Sequence, residues 1–148
     1  MTGLNHAATG ALVAVAVKQP AWALLLALLA HFVVDAIPHW RYGVTGTLRK
    51  IIMRADLILS LTLLAVLALV LTTPAWLVVA CGLLCMAPDA MWLPEILQGK
   101  PPVIHKSTFI GYLRLFHRKV QWKEFSEGLY VEAVWFGAIL TLILKMGR

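Results

Sequence analysis

The stretch HFVVDAIPH, residues 31 to 39, places His31, Asp35 and His39 at even four-residue spacing at the end of a nearly unbroken aliphatic run. Ionisable groups in or near a bilayer are costly and tend to be functional. Imidazole and carboxylate are the donor types taken by zinc and other divalent ions. His31 and Asp35, four apart, share one helix face. Pro38 ends that helix, so His39 is free to approach from a loop. The competing reading of the triplet is an interfacial helix end capped by His and Asp.

Further polar residues stand at the same depth. At about 1.5 Å per residue, Asp35 lies about 22 Å along its run from the Pro20 turn, and His6 about 20 Å from that turn on the preceding run. Asp56 and Asp89 lie about 27 Å and about 22 Å from the Pro74 turn. Four apolar runs therefore bring His6, Asp35, Asp56 and Asp89 to one level, where chance would scatter them between two interfaces. His6, His31, Asp35, His39, Asp89 and His117 are the candidate metal ligands. Asp56 is either a ligand, the general base that orients a water, or a cap on its helix. Arg118, with Arg41 as second choice, suits a phosphate. Cys85 is a core thiol or an extra ligand. His105 and Glu95 read as solvated, and Glu132 as facing the bundle.

The elements that must position these groups are apolar. Of 148 residues, 61% are hydrophobic and 14% charged, with a mean hydropathy of +0.83. So few charges cannot cover a soluble domain of this size, and the class implied is an all-α integral membrane protein. Five apolar segments follow: Leu4 to Val17, Ala21 to Ile37, Ile51 to Leu71, Ala75 to Leu93 and Leu129 to Met146. Helices satisfy their own backbone in lipid, so about five membrane helices are expected in one domain. The N-terminus lacks a basic flank and reads as part of the first helix, not as a cleaved leader. Cys81 and Cys85 share one apolar run, which argues against a disulfide framework.

An internal repeat links the segments. Pro20-Ala21-Trp22 matches Pro74-Ala75-Trp76, and Asp35-Ala36 matches Asp89-Ala90, all at an offset of 54 residues. Under that offset His31 falls on Cys85. The expected unit is a helical hairpin used twice, over 4–37 and 51–93. The alternative is that Pro, Ala and Trp recur at membrane interfaces for their own reasons.

The net charge is +6. Its basic residues crowd two loops: Arg41, Arg49, Lys50 and Arg54, then Lys100, Lys106, Arg114, Arg118, Lys119 and Lys123. That bias predicts an inner-membrane protein with its N-terminus and both loops in the cytoplasm, and points to anionic inner-leaflet headgroups, not nucleic acid, as partners. Within 105–127, Phe109, Ile110, Leu113, Phe116, Val120 and Trp122 recur at helical spacing among bases, predicting an amphipathic helix on that leaflet. The last span is 129–146.

With His6 to Gly10, Pro88-Asp89 and His117-Arg118 in place, the chain resembles the predicted membrane-bound metal-dependent hydrolases of bacterial inner membranes. The triplet His31, Asp35, His39 is similar to the His-x3-Asp-x3-His element of zinc-dependent phospholipases C and related nucleases. The likeness spans most of the chain through short motifs. It departs where Ala90-Met91-Trp92 follow Asp89 in place of the Asp-x-Asp-His form, and where the second histidine after His-Arg is missing. The resemblance implies a divalent-metal hydrolase, with zinc as the metal. A site at headgroup depth makes a lipid phosphoester the natural substrate class, cleaved by water activated on the metal. A transporter is the poorer reading, because no ionisable residue stands halfway across segments two and three. A non-catalytic membrane protein with a structural metal or polar assembly site is the alternative.

Overall fold

The computed structural model describes residues 1–40, 46–93, 98 and 108–147. Arg41, Glu95, Lys100, His105 and Lys106 lie outside the described residues. The described chain is helical: α1 (Gly3–Ala16), α2 (Pro20–Asp35), α3 (Gly46–Val70), α4 (Ala75–Met86) running into a 3-10 turn (Ala87–Trp92), α5 (Phe109–Val120) and α6 (Gly128–Met146). Among the described residues, three stretches are long and apolar enough to cross a membrane: α3, α4 with its 3-10 extension, and α6. The first two helices are apolar but shorter, at 14 and 16 residues. Large aliphatic side chains cover the outside of the long helices, with Leu69 86% and Val134 74% exposed. Such a continuous surface matches lipid and not water.

α1 is the central helix, packed against α2, α3, α4 and α6. Its sequence explains the position. Ala7, Ala8, Thr9, Gly10, Ala11 and Ala14 are all buried, and small residues on every side let neighbouring backbones come close. At Gly10 a Cβ would stand 2.3 Å from the Cys81 carbonyl oxygen, so α1 and α4 touch backbone to backbone. At Gly82 a Cβ would meet the Leu64 side chain at 2.3 Å, so the glycine gives that leucine of α3 its seat on α4.

Two carboxylates tie down the start of α1. Asp56 on α3 accepts the Gly3 and Leu4 amides at 2.7 and 3.0 Å. Glu132 on α6 accepts the Thr2 amide at 3.0 Å and the Asn5 side-chain amide at 3.0 Å. The Thr2, Gly3 and Leu4 backbone amides stand at the end where a helix leaves its amides without internal partners, and negative charge suits that end.

One short departure from helix matters for the site. β1 (His39–Trp40) pairs in parallel with β2 (Glu124–Phe125), His39 opposite Glu124 and Trp40 opposite Phe125. It straps the end of α2 to the chain between α5 and α6. Within the expected amphipathic stretch, α5 is opened by Thr108, whose hydroxyl accepts the Gly111 amide at 3.0 Å. Its buried stripe is Gly111, Arg114 and His117. Phe109, Ile110, Tyr112, Leu113 and Phe116 are exposed. The helix thus turns its polar stripe to the protein and its apolar residues outward.

Candidate metal centre

Four elements deliver side chains to one buried point. α2 carries His31 and Asp35 one turn apart, α1 carries His6, the 3-10 turn carries Asp89 and α5 carries His117. The potential ligand atoms of His31, Asp35, Asp89 and His117 all lie within 4.8 Å of one another, so this cluster can bind a metal ion. His117 Nε2 lies 3.0 Å from Asp35 Oδ2 and 3.2 Å from Asp89 Oδ1. His31 Nε2 lies 3.2 Å from Asp35 Oδ2 and 2.8 Å from His117 Nε2. His6 approaches from the other side, its Nε2 3.1 Å from Asp35 Oδ1 and 3.7 Å from Asp89 Oδ2. Three imidazoles therefore present the same ring nitrogen to two carboxylates.

The surroundings orient these rings. His31 Nδ1 donates to the Cys85 carbonyl at 2.7 Å, which turns Nε2 towards the cluster. Metal-binding histidines are held in this way by a carbonyl or carboxylate behind them. The His6 and His31 rings stack at 4.2 Å between centroids, and Phe32 packs edge-on against His31. Gln121 donates to Asp35 Oδ2 at 2.9 Å, and the Met1 amino group lies 2.5 Å from Asp35 Oδ1. Arg114 donates to the Met91 carbonyl and lies 4.8 Å above the Trp92 ring, joining α5 to the 3-10 turn. Burial disfavours the charged form of His117. Hydrogen bonds to Asp35 and Asp89 outweigh that and raise its pKa to about 9. Of the five side chains only Asp89 is partly exposed, at 33%.

The remaining candidates stand elsewhere. His39 is buried but turned away. Its Nδ1 donates to the Ile37 carbonyl at 2.7 Å and its Nε2 lies 3.8 Å from Glu124 Oε1. Its backbone is held by β2, with the amide donating to the Lys123 carbonyl at 3.3 Å. Asp56 uses both oxygens as the α1 cap. Arg118 is exposed on α5. Cys85 contributes its backbone carbonyl to the surroundings of His31. Gln121 and the capping role of Glu132 were not legible beforehand. A glutamine in a polar loop carries no signal of its own, and Glu132 showed only that it was one turn inside an apolar run. Neither a family model, nor a curated protein, nor a solved structure matches this chain.

Proposed function

We propose that the chain is a metal-dependent hydrolase at the cytoplasmic face of a bacterial inner membrane, acting on a phosphoester of a lipid or lipid-linked substrate. The observation that carries this reading is the convergence of His6, His31, Asp35, Asp89 and His117 beneath α5, the helix whose apolar side is exposed. The donor set of imidazoles and carboxylates fits zinc best among the divalent ions. A divalent ion bound there would lower the pKa of its water towards neutrality and polarise a phosphoryl oxygen. The protein's own share is orientation: Cys85 fixes His31, Gln121 fixes Asp35, and Arg114 fixes α5 over the 3-10 turn. The exposure of Arg118 supports contact with a headgroup phosphate rather than with the cluster. In this reading α1 and α2 lie in the bilayer with the three longer spans, five helices in all.

A second reading has an observation of its own. Asp89 joins His31, Asp35 and His117, and these four donors would fill the four ligand positions that a structural zinc site takes. The two readings part on turnover. Full-length protein in anionic nanodiscs, loaded with zinc, would be given phosphatidic acid and a lipid pyrophosphate, with free phosphate measured. Hydrolysis that chelation and Asp35→Asn both abolish supports the hydrolase. Bound metal without turnover on any phospholipid supports the structural centre.

A further inference from the structure

We infer that the cluster is built for two divalent ions bridged by Asp35 and Asp89, an inference that rests on the metal reading above. Each aspartate divides its oxygens between two sides. Asp35 turns Oδ2 to His31 and His117 at 3.2 and 3.0 Å, and Oδ1 to His6 at 3.1 Å. Asp89 turns Oδ1 to His117 at 3.2 Å and Oδ2 to His6 at 3.7 Å. A single ion held by one oxygen of each aspartate leaves the other oxygen of each free. Here both sides of both carboxylates face a buried imidazole nitrogen. One position is therefore bounded by His31, His117, Asp35 Oδ2 and Asp89 Oδ1, the other by His6, Asp35 Oδ1 and Asp89 Oδ2.

The ring stacking accords with this division. His6 and His31 lie nearly parallel, 21° apart, with centroids 4.2 Å apart. Their Nε2 atoms meet different oxygens of one carboxylate, His6 at Asp35 Oδ1 and His31 at Asp35 Oδ2, at 3.1 and 3.2 Å. Ions in two-metal hydrolytic sites stand about 3.5–4 Å apart. Two rings on the two oxygens of one carboxylate suit two ions sharing that carboxylate. The Met1 amino group lies 2.5 Å from Asp35 Oδ1, the oxygen on the His6 side, so an ion at the His6 position must displace it from that oxygen.

The second position also answers the closed-shell difficulty. The His6 position has three protein donor atoms, which leaves coordination open to water or substrate. Two divalent ions against two carboxylates leave net positive charge in a buried site. An oxyanion such as a phosphoester would neutralise it.

The test is stoichiometry and magnetic coupling in the full-length protein. Wild type, His6→Ala and His6→Gln would be purified in detergent, stripped, and reloaded with manganese. Metal per chain would be measured by mass spectrometry and the spin state by electron paramagnetic resonance. The expected result is two ions per chain with an exchange-coupled spectrum in wild type, and one uncoupled ion in both variants. The glutamine variant keeps the bulk at this buried position, so a folding defect in the alanine variant does not decide the matter. One uncoupled ion in wild type overturns the second position and leaves the hydrolase reading standing. Two ions retained in His6→Gln also overturn it, by placing the second ion elsewhere. No bound ion in wild type overturns both readings together.

Discussion

His31 and Cys85 are 54 residues apart, the repeat offset, and they touch: His31 Nδ1 donates to the Cys85 carbonyl at 2.7 Å. The contact uses backbone on one side and ring on the other. It follows that the Cys85 thiol is dispensable and the His31 ring is not. Cys85→Ala should bind as much metal as wild type, whereas His31→Ala should bind at least about 10-fold more weakly. Equilibrium binding of zinc against a competing chelator reads both. A Cys85→Ala variant that loses its metal would move the thiol into the ligand set.

Asp56 separates a capping role from a chemical one. Its two oxygens take the Gly3 and Leu4 amides, and loss of a helix cap costs about 0.5–2 kcal/mol. Asp56→Ala should therefore lower the thermal midpoint and leave metal per folded chain unchanged. Should it melt like wild type yet lose phosphoester hydrolysis by 100-fold or more, the general-base role returns.

His117 sets opposite pH dependences for stripped and loaded protein. Its pKa is raised from the ordinary 6.5 to about 9 by Asp35 and Asp89, against the effect of burial. In the stripped protein, the stabilisation is complete below about pH 6.5 and is lost as pH rises through about 9. Metal must displace that proton, so apparent affinity should increase about tenfold per pH unit on the way up to pH 9. Melting curves with and without chelator from pH 6 to pH 9.5 would show the two slopes diverging. Parallel slopes would mean that His117 holds no proton in competition with the ion.

How far the site was legible depended on how local each signal was. His31 and Asp35 needed only the helical period, and α2 carries both. Asp89 followed from the 54-residue offset, and the depth argument that joined His6 to Asp35 matches their contact. His39 behaved differently because Pro38 released it into a backbone pairing with residues 124 and 125. That partner lies more than 80 residues away and has no pattern in the sequence. Asp56 instead gives both oxygens to the free Gly3 and Leu4 amides of α1. The helical class was plain from composition. The number of full crossings was not, because α1 and α2 are as apolar as the rest but shorter than the three helices of span length. Nor does hydropathy tell a lipid-facing helix from one enclosed by its neighbours. The alanines and glycine of α1 carried that information.

The orientation of α5 yields the last prediction. Its inward stripe ends in His117, so the helix cannot lift away without removing a donor from the centre. Tyr112 is 63% exposed among apolar neighbours, and Lys119 is exposed near the C-terminal end. An amphipathic helix at an anionic surface buries its apolar side several ångströms into the headgroup boundary and keeps its bases towards the phosphates. Spin labels at Tyr112→Cys and Lys119→Cys, in a background with Cys81 and Cys85 replaced by alanine, should report this in nanodiscs. The label at 112 should collide with oxygen more than with a water-soluble nickel chelate, and the label at 119 the reverse. Raising the salt concentration should weaken lipid contact at 112 only partly, because apolar burial persists when charge attraction is screened. If both labels prefer the nickel chelate, α5 lies off the membrane and the substrate need not be a lipid.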